Sequence, residues 1–93
     1  MRVAVQVPGT LSEHTGGAGE VAVETADGTV AGVLAALFAL HPGLRDRLLT
    51  EGGEVRQHVN LFVGRESIRY TGGLETPVAD GAELTILPAV SGG

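Results

Sequence analysis

Residues 29–43, TVAGVLAALFALHPG, decide the fold. Apolar residues recur in this stretch at the i, i+3, i+4, i+7 and i+8 spacing of one helical face: Val30, Val33, Leu34, Leu37 and Phe38. Thr29 can cap the first turn with its hydroxyl, and Pro42 with Gly43 ends the helix near His41. The stretch therefore predicts one main amphipathic helix.

Two strands are predicted before this helix. MRVAVQV alternates with three valines on one face, and residues 20–24, EVAVE, alternate with Val21 and Val23 directed inward. The segment between them begins at Pro8 and is rich in turn-forming residues. The expectation is a β-hairpin with a long, mobile loop.

A short helical turn and a second hairpin are predicted after the helix. In GLRDRLL, Leu44 and Leu48 share one face. In residues 58–70, HVNLFVGRESIRY, a strand alternates up to a turn at Gly64 and Arg65, and Ile68 anchors a short return strand.

A final strand is predicted beyond the turn at Asp80 and Gly81. Leu84 and Ile86 form its inward face, and Pro88 ends its pairing. The order of elements favours an α+β fold of the β-grasp, or ubiquitin-like, class: a mixed five-stranded sheet around one main helix. Residues 1–87 form the predicted domain, and residues 88–93 form a flexible C-terminal Gly-Gly tail.

Composition narrows the range of functions. The 93 residues include 11 acidic and 6 basic side chains, for a net charge of −5, which disfavours nucleic acid and anionic membranes as partners. The longest apolar stretch is about half of a membrane span, and MRVAVQV lacks a signal peptide's apolar segment, so a cytoplasmic location is expected. Cys and Lys are both absent, which excludes thiolate chemistry, phosphate-binding P-loops and lysine-linked self-conjugation.

The sequence contains no constellation typical of an enzyme. GAGEVA, residues 17–22, fits a dinucleotide-binding pattern but leads from a loop into a strand, where that pattern needs a strand before it and a helix after it. The three histidines, His14, His41 and His58, are far apart, and no metal site is predicted. Ser12 and Ser67 lack the context of a nucleophile. The chain itself is therefore not expected to be an enzyme.

The C-terminal region resembles a known family. Residues 58–93, HVNLFVGRESIRYTGGLETPVADGAELTILPAVSGG, are similar to the ThiS/MoaD family of ubiquitin-like sulfur-carrier proteins. Within that family they look most like the CysO type, which supplies sulfur for cysteine biosynthesis. The combination of VN, IRY, GGL, TPV and ILPAV followed by a terminal Gly-Gly carries the resemblance.

The resemblance implies chemistry at the last residue. An E1-like adenylating enzyme uses ATP to activate the carboxylate of Gly93, and a sulfur donor then displaces AMP to leave a thiocarboxylate. The tail that enters the partner's channel would comprise Pro88, Ala89, Val90, Ser91 and Gly92.

The resemblance also implies partners. A cysteine synthase-like enzyme, with PLP as its own cofactor, would accept the sulfur, and a metalloprotease would release the product. The chain itself would bind no cofactor.

A docking patch is predicted from strand alternation. If the inward residues pack on the helix, Phe62 and Leu87 point to the other face of the sheet and form an apolar partner patch. The alternative is that a loop covers this face. Other functions left open are the small subunit of molybdopterin synthase, a sulfur donor for thiazole or secondary metabolites, a ubiquitin-like protein modifier and a non-reacting interaction module.

Overall fold

A computed structural model describes residues 1–88 of the chain. Most of the predicted reactive tail, residues 89–93, lies outside the described residues. The division into a domain and a tail therefore stays a prediction.

A mixed sheet of five strands forms one layer, with strand order β2-β1-β5-β3-β4. β5 pairs in parallel with β1, and the other neighbouring strands are antiparallel. The strands are β1 (Arg2–Gln6), β2 (Glu20–Glu24), β3 (Val59–Val63), β4 (Glu66–Ser67) and β5 (Glu83–Pro88). This arrangement confirms the predicted mixed five-stranded sheet.

The main helix, α1, spans Val30–Leu40 and covers one face of the sheet. Its N-terminus is capped as predicted, because the Thr29 hydroxyl accepts a hydrogen bond of 3.2 Å from the backbone N–H of Gly32. The inward residues of α1 are buried, except that Phe38 is only partly buried. No helix within residues 1–88 is long and apolar enough to cross a membrane.

Short helical segments connect these elements. Helix α2, Arg45–Leu48, confirms the predicted second helical turn, and Leu44 and Leu48 are fully buried. The 3₁₀ segments are Gly9–Thr15, Pro42–Leu44, Ile68–Tyr70 and Gly73–Glu75.

The connection between β1 and β2, predicted as a long, mobile loop, contains a helical segment that was not predicted. Residues Gly9–Thr15 form a 3₁₀ helix that ends at Gly16, whose φ of 68° lies in the left-handed region. Thr15 is buried, and its hydroxyl stabilises the end of this segment, since it lies 2.9 Å from the Ser12 carbonyl and 2.6 Å from the Ala18 carbonyl. With Leu11 as its only large apolar residue, the segment has no periodicity that could reveal a helix.

Two strand boundaries also differ from the prediction. Strand β4 has only two residues, and Ile68 is buried in the following 3₁₀ turn instead of in a return strand. Pro88, predicted to end pairing and begin the tail, is the last residue of β5 and lies opposite Val59. Proline can occupy this position because a strand end does not require its missing N–H.

A pair of leucines in α1 tests the packing of helix on sheet. Leu37 is fully buried, whereas Leu40 is 58 % exposed. We expect Leu37→Ala to lower the free energy of unfolding by about 2–5 kcal/mol, since it removes buried methyl groups and leaves a cavity. Urea denaturation measures the change. Leu40→Ala is the control and should change stability by less than about 0.5 kcal/mol; equal losses would contradict this packing.

Candidate functional site

The sheet face opposite α1 has no layer packed on it within residues 1–88. Every side chain that alternation directs to this face is exposed or partly exposed. They are Arg2, Ala4 and Gln6 in β1; Glu20, Ala22 and Glu24 in β2; Asn60 and Phe62 in β3; and Glu83, Thr85 and Leu87 in β5. We call this surface the open face.

The two predicted patch residues lie together on the open face. Phe62 is opposite Thr85, and Leu87 is opposite Asn60 in the antiparallel ladder between β3 and β5. Phe62 and Leu87 are therefore diagonal neighbours, a spacing that aromatic and long side chains can bridge. Leu87 is 45 % exposed and Phe62 is partly exposed. The directions of both side chains agree with the alternation, and their role in partner binding stays a prediction.

The opposite end of the open face is polar and acidic. The Gln6 side-chain amide donates hydrogen bonds to the carboxylates of Glu20 and Glu83, the latter at 3.3 Å. Glu24 lies on the same face of the edge strand β2 as Glu20. The open face therefore changes from apolar at Phe62 and Leu87 to acidic at β2.

The end of β5 lies beside a tight turn. Pro88 is opposite Val59, and the backbone N–H of Val59 donates to the Arg56 carbonyl at 3.0 Å, which closes a turn over residues 56–59. We call the end of β5 at Pro88, together with this turn, the exit rim. It is the point from which the chain continues into residues 89–93.

Arg69 supports the exit rim from the other edge of β3. Because β4 pairs only with Phe62 and Val63, the first part of β3 has no strand on that edge. The guanidinium of Arg69 takes the place of the missing strand by donating hydrogen bonds to the Gln57 carbonyl at 3.1 Å and to the Val59 carbonyl at 3.5 Å. This role of Arg69 could not be predicted from the sequence, since a carbonyl left unpaired by a short strand leaves no mark in the residue pattern.

A polar recess of about 280 Å³ lies at the same rim. It is lined by Arg47 of α2, Arg56, His58 and Asp46. The Nε–H of Arg56 donates to the Asp46 backbone carbonyl at 2.8 Å, which fixes the turn against α2. The sequence pattern does not bring Arg47 together with Arg56 and His58, because these residues lie in separate segments of the chain.

The other polar residues considered in the sequence have structural roles. His14 packs against Gly43, where an added Cβ would lie 2.9 Å from its Nδ1, and His41 ends α1. The Ser12 hydroxyl donates to the Gly9 carbonyl at 2.9 Å, and Ser67 accepts from the Arg69 N–H at 3.3 Å. In the part of the chain that the structure describes, no group of three or more His, Asp or Glu side chains is placed to hold a metal ion.

Comparison with known families identifies the chain. A model of the ThiS family matches residues 5–93, which include the end of β1, strands β2 to β5, α1 and the exit rim. The chain belongs to the ThiS family. This finding confirms the family resemblance seen in residues 58–93 and the β-grasp fold.

Three relatives show how this member of the ThiS family compares with others. It is 40 % identical to the sulfur carrier protein CysO of Mycobacterium tuberculosis over 95 residues, with all of both chains covered. It matches a chain in the crystal structure of the Amycolatopsis orientalis BexX/CysO complex with a TM-score of 0.87 and 41 % identity, covering 98 % of this chain and 99 % of that one. It is also 39 % identical to small archaeal modifier protein 3 of Haloferax volcanii over 67 residues, or 72 % of each chain.

Arg69 offers a test of the exit rim. We expect Arg69→Gln to lower the free energy of unfolding by about 1 kcal/mol, since two backbone carbonyls lose a charged donor at a solvent-accessible edge. Amide hydrogen exchange should also become faster in the first part of β3. Arg65→Gln in the exposed turn between β3 and β4 is the control; if it had the same effect on exchange, Arg69 would have no special role at this edge.

Proposed function

We propose that this chain is a sulfur carrier that holds sulfur as a thiocarboxylate on Gly93. The observation that supports this most is the full-length similarity to a relative named a sulfur carrier protein. The match to the ThiS family also includes the last residues of the chain. The chain acts in this proposal as a co-substrate, and the catalytic groups belong to its partners.

The proposed chemistry has two balanced steps. The Gly93 carboxylate attacks the α-phosphorus of ATP on an adenylating enzyme, which forms an acyl-adenylate and releases pyrophosphate. Hydrosulfide, or a sulfur donor equivalent to it, then attacks the carbonyl carbon. The C–S bond forms, the C–O bond to AMP breaks, and one proton is released. Adenylation is needed because a resonance-stabilised carboxylate resists nucleophiles until it carries a good leaving group.

The anchoring of β5 suits this transfer. Pro88 is held in the sheet opposite Val59, and five residues beyond it can span at most about 17 Å when extended. Gly92 and Gly93 have no side chains to obstruct a narrow channel. The domain can therefore dock at the partner's surface while Gly93 reacts inside it, with Ala89, Val90 and Ser91 as the connecting arm.

The apolar end of the open face is proposed as the docking surface. Leu87 is exposed immediately before Pro88, so a partner that covers Leu87 and Phe62 also receives the arm. Burial of a large aliphatic and an aromatic side chain supplies affinity without charge. The relative in the BexX/CysO structure occurs in a complex with another protein, which supports a role in protein recognition.

The sulfur is proposed to reach cysteine through a synthase with its own PLP, followed by release from Gly93 by a metalloprotease. The similarity to CysO supports this acceptor over molybdopterin or thiazole synthesis. A second candidate function is protein modification, which the similarity to a small archaeal modifier protein favours. In that case Gly93 would form stable amide bonds with lysines of other proteins.

Intact-mass spectrometry tests the carrier function. The full chain is incubated with a cognate E1-like adenylating enzyme, ATP and sulfide, and we expect a product in which sulfur replaces one oxygen. A variant lacking Gly93 should keep its fold by circular dichroism and give no such product. Stable adducts to other proteins without any thiocarboxylate would favour the modifier. Full biological activity of the variant lacking Gly93 would favour a non-reacting module.

Substitution of Leu87 tests the docking surface. We expect Leu87→Asp to raise the KM for the chain in ATP–pyrophosphate exchange about tenfold, since a charged side chain would be buried in an apolar contact. Leu40→Asp is the matched control, because Leu40 is also exposed but lies at the end of α1. An equal change in both variants would argue against docking through the open face.

A further inference from the structure

The polar recess at the exit rim differs in charge from the chain as a whole. The net charge is −5, yet two of the six arginines, Arg47 and Arg56, line this one recess together with His58. Arg69 adds a third guanidinium on the other side of the same turn. Positive groups are therefore concentrated at the exit rim. Two of the three acidic residues of the open face, Glu20 and Glu24, lie at its far edge in β2, and the third, Glu83, lies at the start of β5, at the opposite end of that strand from Pro88.

The charges of the recess are not neutralised within the described residues. The two ion pairs that residues 1–88 contain join His14 to Glu13 and Arg45 to Asp46, the latter at 3.1 Å. The one carboxylate that lines the recess, that of Asp46, is thus held by Arg45, and neither Arg47 nor Arg56 has a carboxylate oxygen within 4.0 Å in this part of the chain. The recess therefore has two guanidiniums against one carboxylate, and this excess of positive charge attracts anions.

The form of the recess favours an anionic peptide over a small free anion. Arg47 and His58 are exposed and Arg56 is partly exposed, so no buried cation is present to hold a small ion against competition from water. The cationic groups come from two separate elements, α2 and the turn over residues 56–59. This spacing suits carboxylates that are carried along one chain, where each weak contact adds to the next.

We propose that Arg47, Arg56 and His58 form a docking site for an acidic segment of the protein that receives the tail. The recess and the exit of the tail belong to one rim, so such a segment would bind beside the apolar patch and orient the arm as it enters the partner. Complementary charge at this position raises the rate of encounter and selects among partners. The identity of the partner rests on the proposed carrier function, whereas the charge preference of the recess does not.

NMR titration of the full ¹⁵N-labelled chain tests the recess directly. The probes are a blocked peptide of alternating aspartate and glycine, the matched asparagine peptide, and inorganic phosphate. We expect the aspartate peptide to cause saturable shift changes at the amides of Arg47, Arg56 and His58, with weaker binding at high salt. The asparagine peptide and phosphate should leave these signals unchanged at the same concentrations.

Variants make the assignment specific. Arg47→Gln should weaken binding of the aspartate peptide about fivefold, the change that corresponds to loss of an exposed ion pair of about 1 kcal/mol. Arg47 has no hydrogen bond to its side chain among the described residues, so this variant should fold normally, and Arg65→Gln is the control with the same charge change. Peptide binding to the recess does not involve Gly93. A negative result in this titration is therefore distinguishable from a negative result in the adenylation experiment.

Three results would overturn the proposal. The first is the absence of saturable changes at these residues, or an equal loss of affinity in Arg65→Gln. The second is phosphate binding as strong as peptide binding, which would make the recess a small-anion site. The third is peptide binding only when the C-terminus of the chain is amidated, which would show that the chain's own terminal carboxylate occupies the recess.

Discussion

The position of β5 between β1 and β3 is the constraint on which the rest of the structure depends. β5 is the central strand, paired in parallel with β1 from the start of the chain and antiparallel with β3. Its inward residues, Leu84 and Ile86, are almost fully buried. Separation of β5 from either neighbour would expose core side chains and break a ladder of hydrogen bonds. The exit rim is therefore tied to the interior of the sheet, although it lies at the surface.

A single main helix can cover only one face of this sheet. The apolar face of α1 packs on the inward valines and leucines of the sheet and buries them. The apolar cluster therefore forms without a second layer. The open face is thus left to side chains that need no burial, such as Gln6, Glu20 and Glu83, and also to Leu87, which is exposed. Because α1 covers one face of the sheet only, the core stays small, and the other face keeps an apolar surface beside the end of β5.

Much of the fold could be predicted from the sequence because its elements are periodic. The spacing of Val30, Val33 and Leu37 defines α1, and the alternation of Leu84 and Ile86 defines β5. The 3₁₀ helix at Gly9–Thr15 could not be predicted, since it is stabilised by the hydroxyl of Thr15 and not by a repeating apolar face. The chemistry assigned to Gly93 came from family resemblance, because an apolar or charged pattern does not identify a reactive carboxylate.

The exit rim shows what pattern reasoning cannot supply. Arg47, Arg56 and Arg69 are separated along the chain, and each alone is an ordinary surface residue. Arg47 and Arg56 meet because the turn over residues 56–59 folds against α2, and Arg69 reaches the other side of that turn because β4 is too short to cover the edge of β3. The Arg69 guanidinium donates to backbone carbonyls and stabilises the edge of β3. The Arg47 guanidinium makes no such bond within the described residues and is left to contact other molecules. A net charge of −5 describes the chain, but a protein that contacted the exit rim would meet the local surface, where apolar and guanidinium groups lie side by side.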